Sequence, residues 1–115
     1  MPTSQQFKEA LEKVHQRTDS QMAFLQAHYS TKARALTATH LSKSADYKNY
    51  RPINLLYGKL AADLARELGT RGGLSLLCDF FRPGTLTNRE WILVMKPDFA
   101  EGLRLAGWVK AKQDA

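Results

Sequence analysis

The chain has 115 residues, with 17 lysines and arginines against 11 aspartates and glutamates, for a net charge of +6. That length suits one hydrophobic core and excludes two of ordinary size. Apolar and charged fractions of 43% and 24% exclude wholesale disorder.

No apolar run approaches the ~20 residues of a membrane helix. The opening MPTSQQFKEALEKVHQ carries charges where a signal peptide needs an apolar centre. Cys78 is the single cysteine, so no internal disulfide can form. A cytoplasmic protein without membrane contact is the expectation.

From Ser4 to Tyr29, the residues Phe7, Leu11, Val14, Thr18, Met22, Leu25 and Tyr29 recur at spacings of three and four, the stripe of a helix. Ser4 is the expected N-cap. Thr18-Asp19-Ser20 is expected to break the stripe into two helices, with Asp19 or Ser20 capping the second.

Thr37 then caps a short helix running to about Ala45, with Leu36 and Leu41 placed as a hydrophobic staple. Asp46 falls in the following turn, where a positive φ is often required and Asp tolerates it better than most residues. Tyr47 is read as a core anchor. A longer helix starts near Asn49 as cap, with Pro52 in its first turn and Gly69 as its stop. Its inward stripe is Ile53, Leu56, Tyr57, Leu60, Leu64 and Leu68.

Two strands follow, Leu74–Phe81 and Glu90–Met95, joined by a long loop that contains Pro83-Gly84. Pro97-Asp98 opens a last helix with Phe99, Leu103 and Ala106 inward, closed by Gly107. Trp108 and Val109 are expected to fold back on the core, and residues 110–115 to fray.

The expected architecture is an α+β, mainly helical, winged helix-turn-helix-like single domain over residues 1–115. Its parts are an N-terminal helical segment (4–29), a helix-turn-helix (36–69), one β-hairpin (74–96) and a short C-terminal helix (97–109).

Charge is concentrated within this layout. Between Thr31 and Leu60 there are six basic residues (Lys32, Arg34, Lys43, Lys48, Arg51, Lys59) and one acidic residue, Asp46. A basic helix-turn-helix on a nearly neutral scaffold suits a polyanion, and duplex DNA is the expected partner. Lys43, Lys48 and Lys59 would neutralise phosphates, while Arg51, Asn49 and Asn54 have the geometry to read base edges. Arg82 and Arg89, at the ends of the hairpin loop, would add phosphate contacts. The competing reading makes Lys48 and Arg51 solvated residues, Asn49 a cap and Asn54 a surface residue. Gly58 costs roughly 1 kcal/mol relative to alanine inside a helix, which suggests that another backbone comes close there.

No reaction is legible. His15, His28 and His40 lie in separate segments with no carboxylate or cysteine at metal-ligand spacing. Cys78 sits in an apolar alternation, as a buried structural thiol would. Gly69, Gly72 and Gly73 lack the G-K-[ST] of a phosphate loop. The chain is therefore expected to be non-enzymatic, with no cofactor and no metal.

The run LTATHLSKSADYKNYRPINLLYGKLA, above all Tyr47-Lys48-Asn49-Tyr50-Arg51, Asn54 and Tyr57-Gly58-Lys59-Leu60, resembles the N-terminal accessory domain of bacterial HNH-type, McrA-like modification-dependent restriction endonucleases. A weaker likeness covers Trp91 to Trp108. The resemblance implies a bacterial or phage setting in restriction, defence or regulation, with nucleic acid nearby. It carries no catalysis, because the nuclease region of those enzymes has no counterpart in this chain. The family has glycine and alanine where this chain has Asp46 and Pro52, and a polar residue in place of Leu56. The alternative it leaves open is a protein-interaction module that docks on a nuclease subunit or another defence component.

Overall fold

The computed structural model describes residues 2–14, 18–48, 51–81 and 91–110. The N-terminal stripe folds as two helices, α1 (Ser4–Glu12) and α2 (Asp19–Ser30). The expected division into two helices holds, but α1 ends at Glu12, ahead of the expected break, Asp19 and Ser20 already belong to α2, and the caps are Thr3 and Thr18 in place of Ser4 and of Asp19 or Ser20. Thr3 Oγ1 accepts the Gln6 N–H, and the Gln6 side chain accepts the Thr3 N–H in return. Ser4 has Phe7 at the corresponding position and cannot form that reciprocal pair. At α2, Thr18 is the cap, accepting the Gln21 N–H at 3.0 Å.

A 3-10 turn (Lys32–Arg34) leads into a strand absent from the sequence reading, β1 (Ala35–Thr37). Thr37 closes the strand and caps α3 (Ala38–Ser44), accepting the His40 N–H at 3.2 Å. Leu36 thus belongs to a strand while it leads into the cap. Asp46 has φ 62, the left-handed conformation expected of the turn. Helix α4 (Arg51–Leu68) follows and ends at Gly69, whose φ of 67 favours glycine. Asn49, read as its cap, lies outside the described residues. Of the inward stripe, Ile53, Tyr57, Leu60 and Leu64 are buried, whereas Leu56 and Leu68 are half-buried at its margins.

The sequence-based strand from Leu74 is corrected. Leu74–Leu76 is a second 3-10 turn, and the strand proper is β2 (Cys78–Phe81). Leu76, Leu77 and Cys78 are buried in succession, which an alternating strand cannot achieve. The partner strand is β3 (Ile92–Met95), and Glu90, assigned to it from sequence, lies outside the described residues. All pairings are antiparallel, in the order β1-β3-β2. Ala35, Leu36 and Thr37 face Val94, Leu93 and Ile92 across one edge of β3, and Cys78 to Phe81 face Met95 to Ile92 across the other.

Helix α5 (Pro97–Leu105) opens on Pro97 and buries Phe99 and Leu103. Gly107 (φ 78) turns the chain so that Trp108 and Val109 are buried, as expected. Helix α5 packs tightly on α1. A Cβ placed on Gly102 would lie 2.6 Å from the Phe7 Cβ and 3.2 Å from the Ser4 carbonyl oxygen, so glycine is what permits the approach. The Phe7 and Phe99 rings meet edge to face beside it, 5.5 Å apart.

Candidate nucleic-acid interface

Helix α4 presents two unlike sides. Ile53, Tyr57, Leu60 and Leu64 face the core, while Arg51, Asn54, Leu55 and Lys59 are exposed. Lys43 in the last turn of α3 and Lys48 in the following turn are exposed as well. After α3 the chain turns through the left-handed Asp46, and the Tyr47 N–H returns to the Ser42 carbonyl oxygen at 2.9 Å. Five of the eight residues singled out from sequence are therefore exposed, Lys43 on α3, Lys48 after it, and Arg51, Asn54 and Lys59 on α4. Asn49, Arg82 and Arg89 fall outside the described residues.

At the start of α4, Ile53 is buried while Arg51, Asn54 and Leu55 are exposed. Gln6, Glu9, Ala10 and Lys13 of α1 border a cleft with Glu67 and Leu68, at the far end of α4. Thr18, the cap of α2, and Gln21 border a second cleft with Leu56, Lys59 and Asp63. Charge is polarised along the helix too, since Asp63 and Glu67 are both in its second half, where Asp63 pairs with Arg66 at 2.7 Å.

Two of the six cations counted from sequence belong elsewhere. Lys32 and Arg34 precede β1, and the Arg34 guanidinium lies 4.7 Å over the Tyr29 ring. Arg34 and Ala33 have φ of 51 and 56, a left-handed pair that turns the chain from α2 into the strand. The four cations that remain on α3, its turn and α4 are Lys43, Lys48, Arg51 and Lys59.

Gly58 faces open space, and a Cβ there would find no atom within 4 Å. Packing among the described residues does not call for a glycine at this position. Leu55, one turn before it, is 74% exposed. Together they form a low apolar strip between Arg51 and Lys59.

Behind α4 lies a polar contact that the sequence did not signal. His28 is fully buried, with Nε2 2.9 Å from the Leu93 carbonyl oxygen and Nδ1 2.9 Å from the Tyr57 hydroxyl. A carbonyl only accepts, so Nε2 carries the proton and the neutral ring accepts the Tyr57 O–H at Nδ1. The Cys78 thiol then donates to the Tyr57 oxygen at 3.6 Å. Burial lowers the His28 pKa, opposed by its hydrogen bonds to the Leu93 and Arg34 backbone. Burial also raises the Tyr57 hydroxyl well above its usual range and pushes the Cys78 thiol up to about 12. All three groups are therefore neutral near pH 7. They join α2, α4, β2 and β3 without presenting a nucleophile or a base to solvent.

A second unforeseen feature is aromatic. At the ends of β2 and β3 away from α5, Phe80, Phe81 and Trp91 are 39%, 55% and 48% exposed. The Phe80 and Trp91 rings meet edge to face at 6.4 Å.

Among the described residues no helix is long and apolar enough to cross a membrane. Comparisons with protein-family models, with curated proteins and with solved structures find no match to this chain.

Proposed function

We propose that this chain is a non-enzymatic DNA-binding module that docks on duplex DNA through α3, its turn and the first half of α4, in a bacterial or phage setting of restriction, defence or regulation. The observation that carries the reading is the exposure of Lys43, Lys48, Arg51, Asn54 and Lys59, close together in the sequence from α3 to the first half of α4. A helix that buries one side and offers arginine and asparagine on the other has what major-groove readout requires. The order helix, strand, helix, helix, strand, strand, with β3 central in the sheet, supports the winged-helix form of the motif, in which a hairpin stands beside the recognition helix.

In this reading Lys43, Lys48, Arg51 and Lys59 neutralise phosphates, and Arg51 and Asn54 are the side chains able to read base edges. With Arg51 counted among four neutralised phosphates, log affinity for duplex DNA falls against log salt with a slope of about −3.6. Titration of a labelled duplex across salt concentrations measures it. A flat response, or no binding at low salt, refutes the proposal. Joint replacement Lys48→Ala and Arg51→Ala removes most of the affinity while the melting temperature stays close to that of the unchanged protein.

Leu55 and the open space at Gly58 favour a second reading, in which the same strip docks on a protein such as a nuclease subunit. Capture from a bacterial lysate before and after nuclease digestion separates the two. A protein partner retained after digestion, in a chain that binds no duplex, favours docking.

A further inference from the structure

The exposed aromatics of the hairpin have no part in the groove contact just described. Cross-strand pairing fixes where they point. Phe80 pairs with Leu93, which is buried, so Phe80 lies on the inward face of the sheet. Trp91, two residues from Leu93, lies on that face too, and the 6.4 Å contact of the two rings agrees. Phe81 pairs with Ile92 and projects from the opposite face. The end of the hairpin thus carries rings on both faces.

We infer that this end of the hairpin is a stacking surface for unpaired bases, so that the module prefers DNA containing a locally opened position over uninterrupted duplex. The inference rests on the DNA reading above. Three observations select nucleic acid as the occupant. The exposed apolar side chains are aromatic rings, which stack on any base, rather than the aliphatic mixture of a docking helix. The chain is cationic overall, with a net charge of +6. The patch also adjoins the cationic segment, because Ile92 pairs with Thr37, the cap of α3, and α3 covers only about 10 Å from there to its last turn, where Lys43 lies. Exposed rings at one edge of a sheet can stack on a splayed base, as apolar side chains do where they unstack duplex steps.

The test compares a labelled duplex with the same duplex carrying a short central bubble of unpaired thymines, by fluorescence anisotropy at fixed salt. The bubble is expected to bind about 5- to 100-fold more tightly. Phe81→Ala and Trp91→Ala are each expected to reduce that preference toward unity while leaving duplex affinity within about twofold. Leu105→Ala, on α5 and comparably exposed, leaves it intact. Should Trp91→Ala fail to fold, Phe81→Ala on the outer face carries the test alone.

Equal affinity for duplex and bubble overturns the inference and leaves groove docking standing, as does a preference that survives both aromatic replacements. Binding to the bubble without binding to duplex refutes groove docking and upholds stacking. No binding to either at low salt removes both. A dimer in sedimentation equilibrium that Trp91→Ala dissociates assigns the rings to a second copy of the chain and overturns the inference.

Discussion

Acidification tests the buried His28–Tyr57–Cys78 contact directly. His28 has a lowered pKa in the fold, against 6.5 for an unperturbed imidazole, and burial is the larger cause. Below pH 6.5 the unfolded chain therefore binds a proton that the folded chain resists, and stability falls as pH falls. The contribution is complete above 6.5 and is lost downward through the folded pKa. Each pH unit over which His28 stays neutral while the unfolded ring is charged costs about 1.4 kcal/mol, so the limit at pH 5 is about 2 kcal/mol. That is a large share of the 5–15 kcal/mol typical of a small domain.

The assay is urea unfolding by circular dichroism from pH 7.5 to 5, on the natural chain and on His28→Gln. Glutamine keeps a donor and an acceptor but does not titrate. The variant is less stable at pH 7.5, yet its profile is flatter by up to that same amount. Parallel profiles would show that His28 titrates alike in the folded and unfolded chain, and a profile that gains stability with acid relative to the variant would show it protonated in the fold; either would overturn the neutral buried ring.

Gly102→Ala forces a methyl to within 2.6 Å of the Phe7 Cβ, so α1 and α5 must separate. The expected loss is 1–3 kcal/mol by urea unfolding, roughly that of overpacking a tight core, and an unchanged stability refutes the close approach. The Cys78 thiol, pushed up to about 12 by burial, should resist an aromatic disulfide reagent in native buffer and react as urea unfolds the chain. Rapid stoichiometric labelling of the folded protein contradicts its placement. Asp46→Gly relieves a left-handed residue and is expected to raise stability by up to ~1 kcal/mol; a loss would show that the aspartate side chain does more than tolerate the turn.

What could be read from the sequence was what repeats. The three-and-four spacing of Phe7, Leu11, Val14 and Leu25 marks buried sides without any knowledge of the partner, and Thr37, Asp46 and Gly69 mark boundaries because their own chemistry fits a cap, a turn and a stop. The exposure of Arg51 and Lys59 was legible for the same reason, since the buried stripe of α4 fixes which side is left over.

Strand β1 was not legible. Three residues hold no measurable alternation, and Ala35–Thr37 becomes a strand only because β3 offers an edge more than fifty residues later. Leu74–Phe81 misled for the converse reason. An alternating pattern was read where consecutive leucines were instead turned into the core by a 3-10 turn, a choice made by the sheet they must reach and not by local preference. The arrangement of His28, Tyr57 and Cys78 depends on pairs 29 and 21 residues apart and leaves no periodic trace. Phe80 and Trp91 look like core residues in a strand pattern, and only the lengths of the strands beyond the core show that they emerge.

The buried contact bears on function through geometry. Tyr57 projects from the side of α4 opposite Leu55, and its hydroxyl is held at once by His28 of α2 and Cys78 of β2, while His28 is tied to Leu93 of β3. Leucine or valine could fill such a space, but dispersion has little angular preference, whereas each of these three hydrogen bonds constrains direction. Breaking one leaves buried polar atoms unpaired at about 1–3 kcal/mol, so rotation or sliding of α4 against the hairpin is opposed more steeply than in an apolar seam. The cationic edge of α4 and the aromatic end of β2 and β3 are consequently held in a fixed relation. A ligand that touches both meets a preorganised surface and does not lose affinity to ordering it. Tyr57→Phe should therefore weaken binding to an opened duplex more than binding to an intact one, at temperatures where the variant remains fully folded. Equal weakening of both would show that the clamp stabilises the fold without coupling the two surfaces.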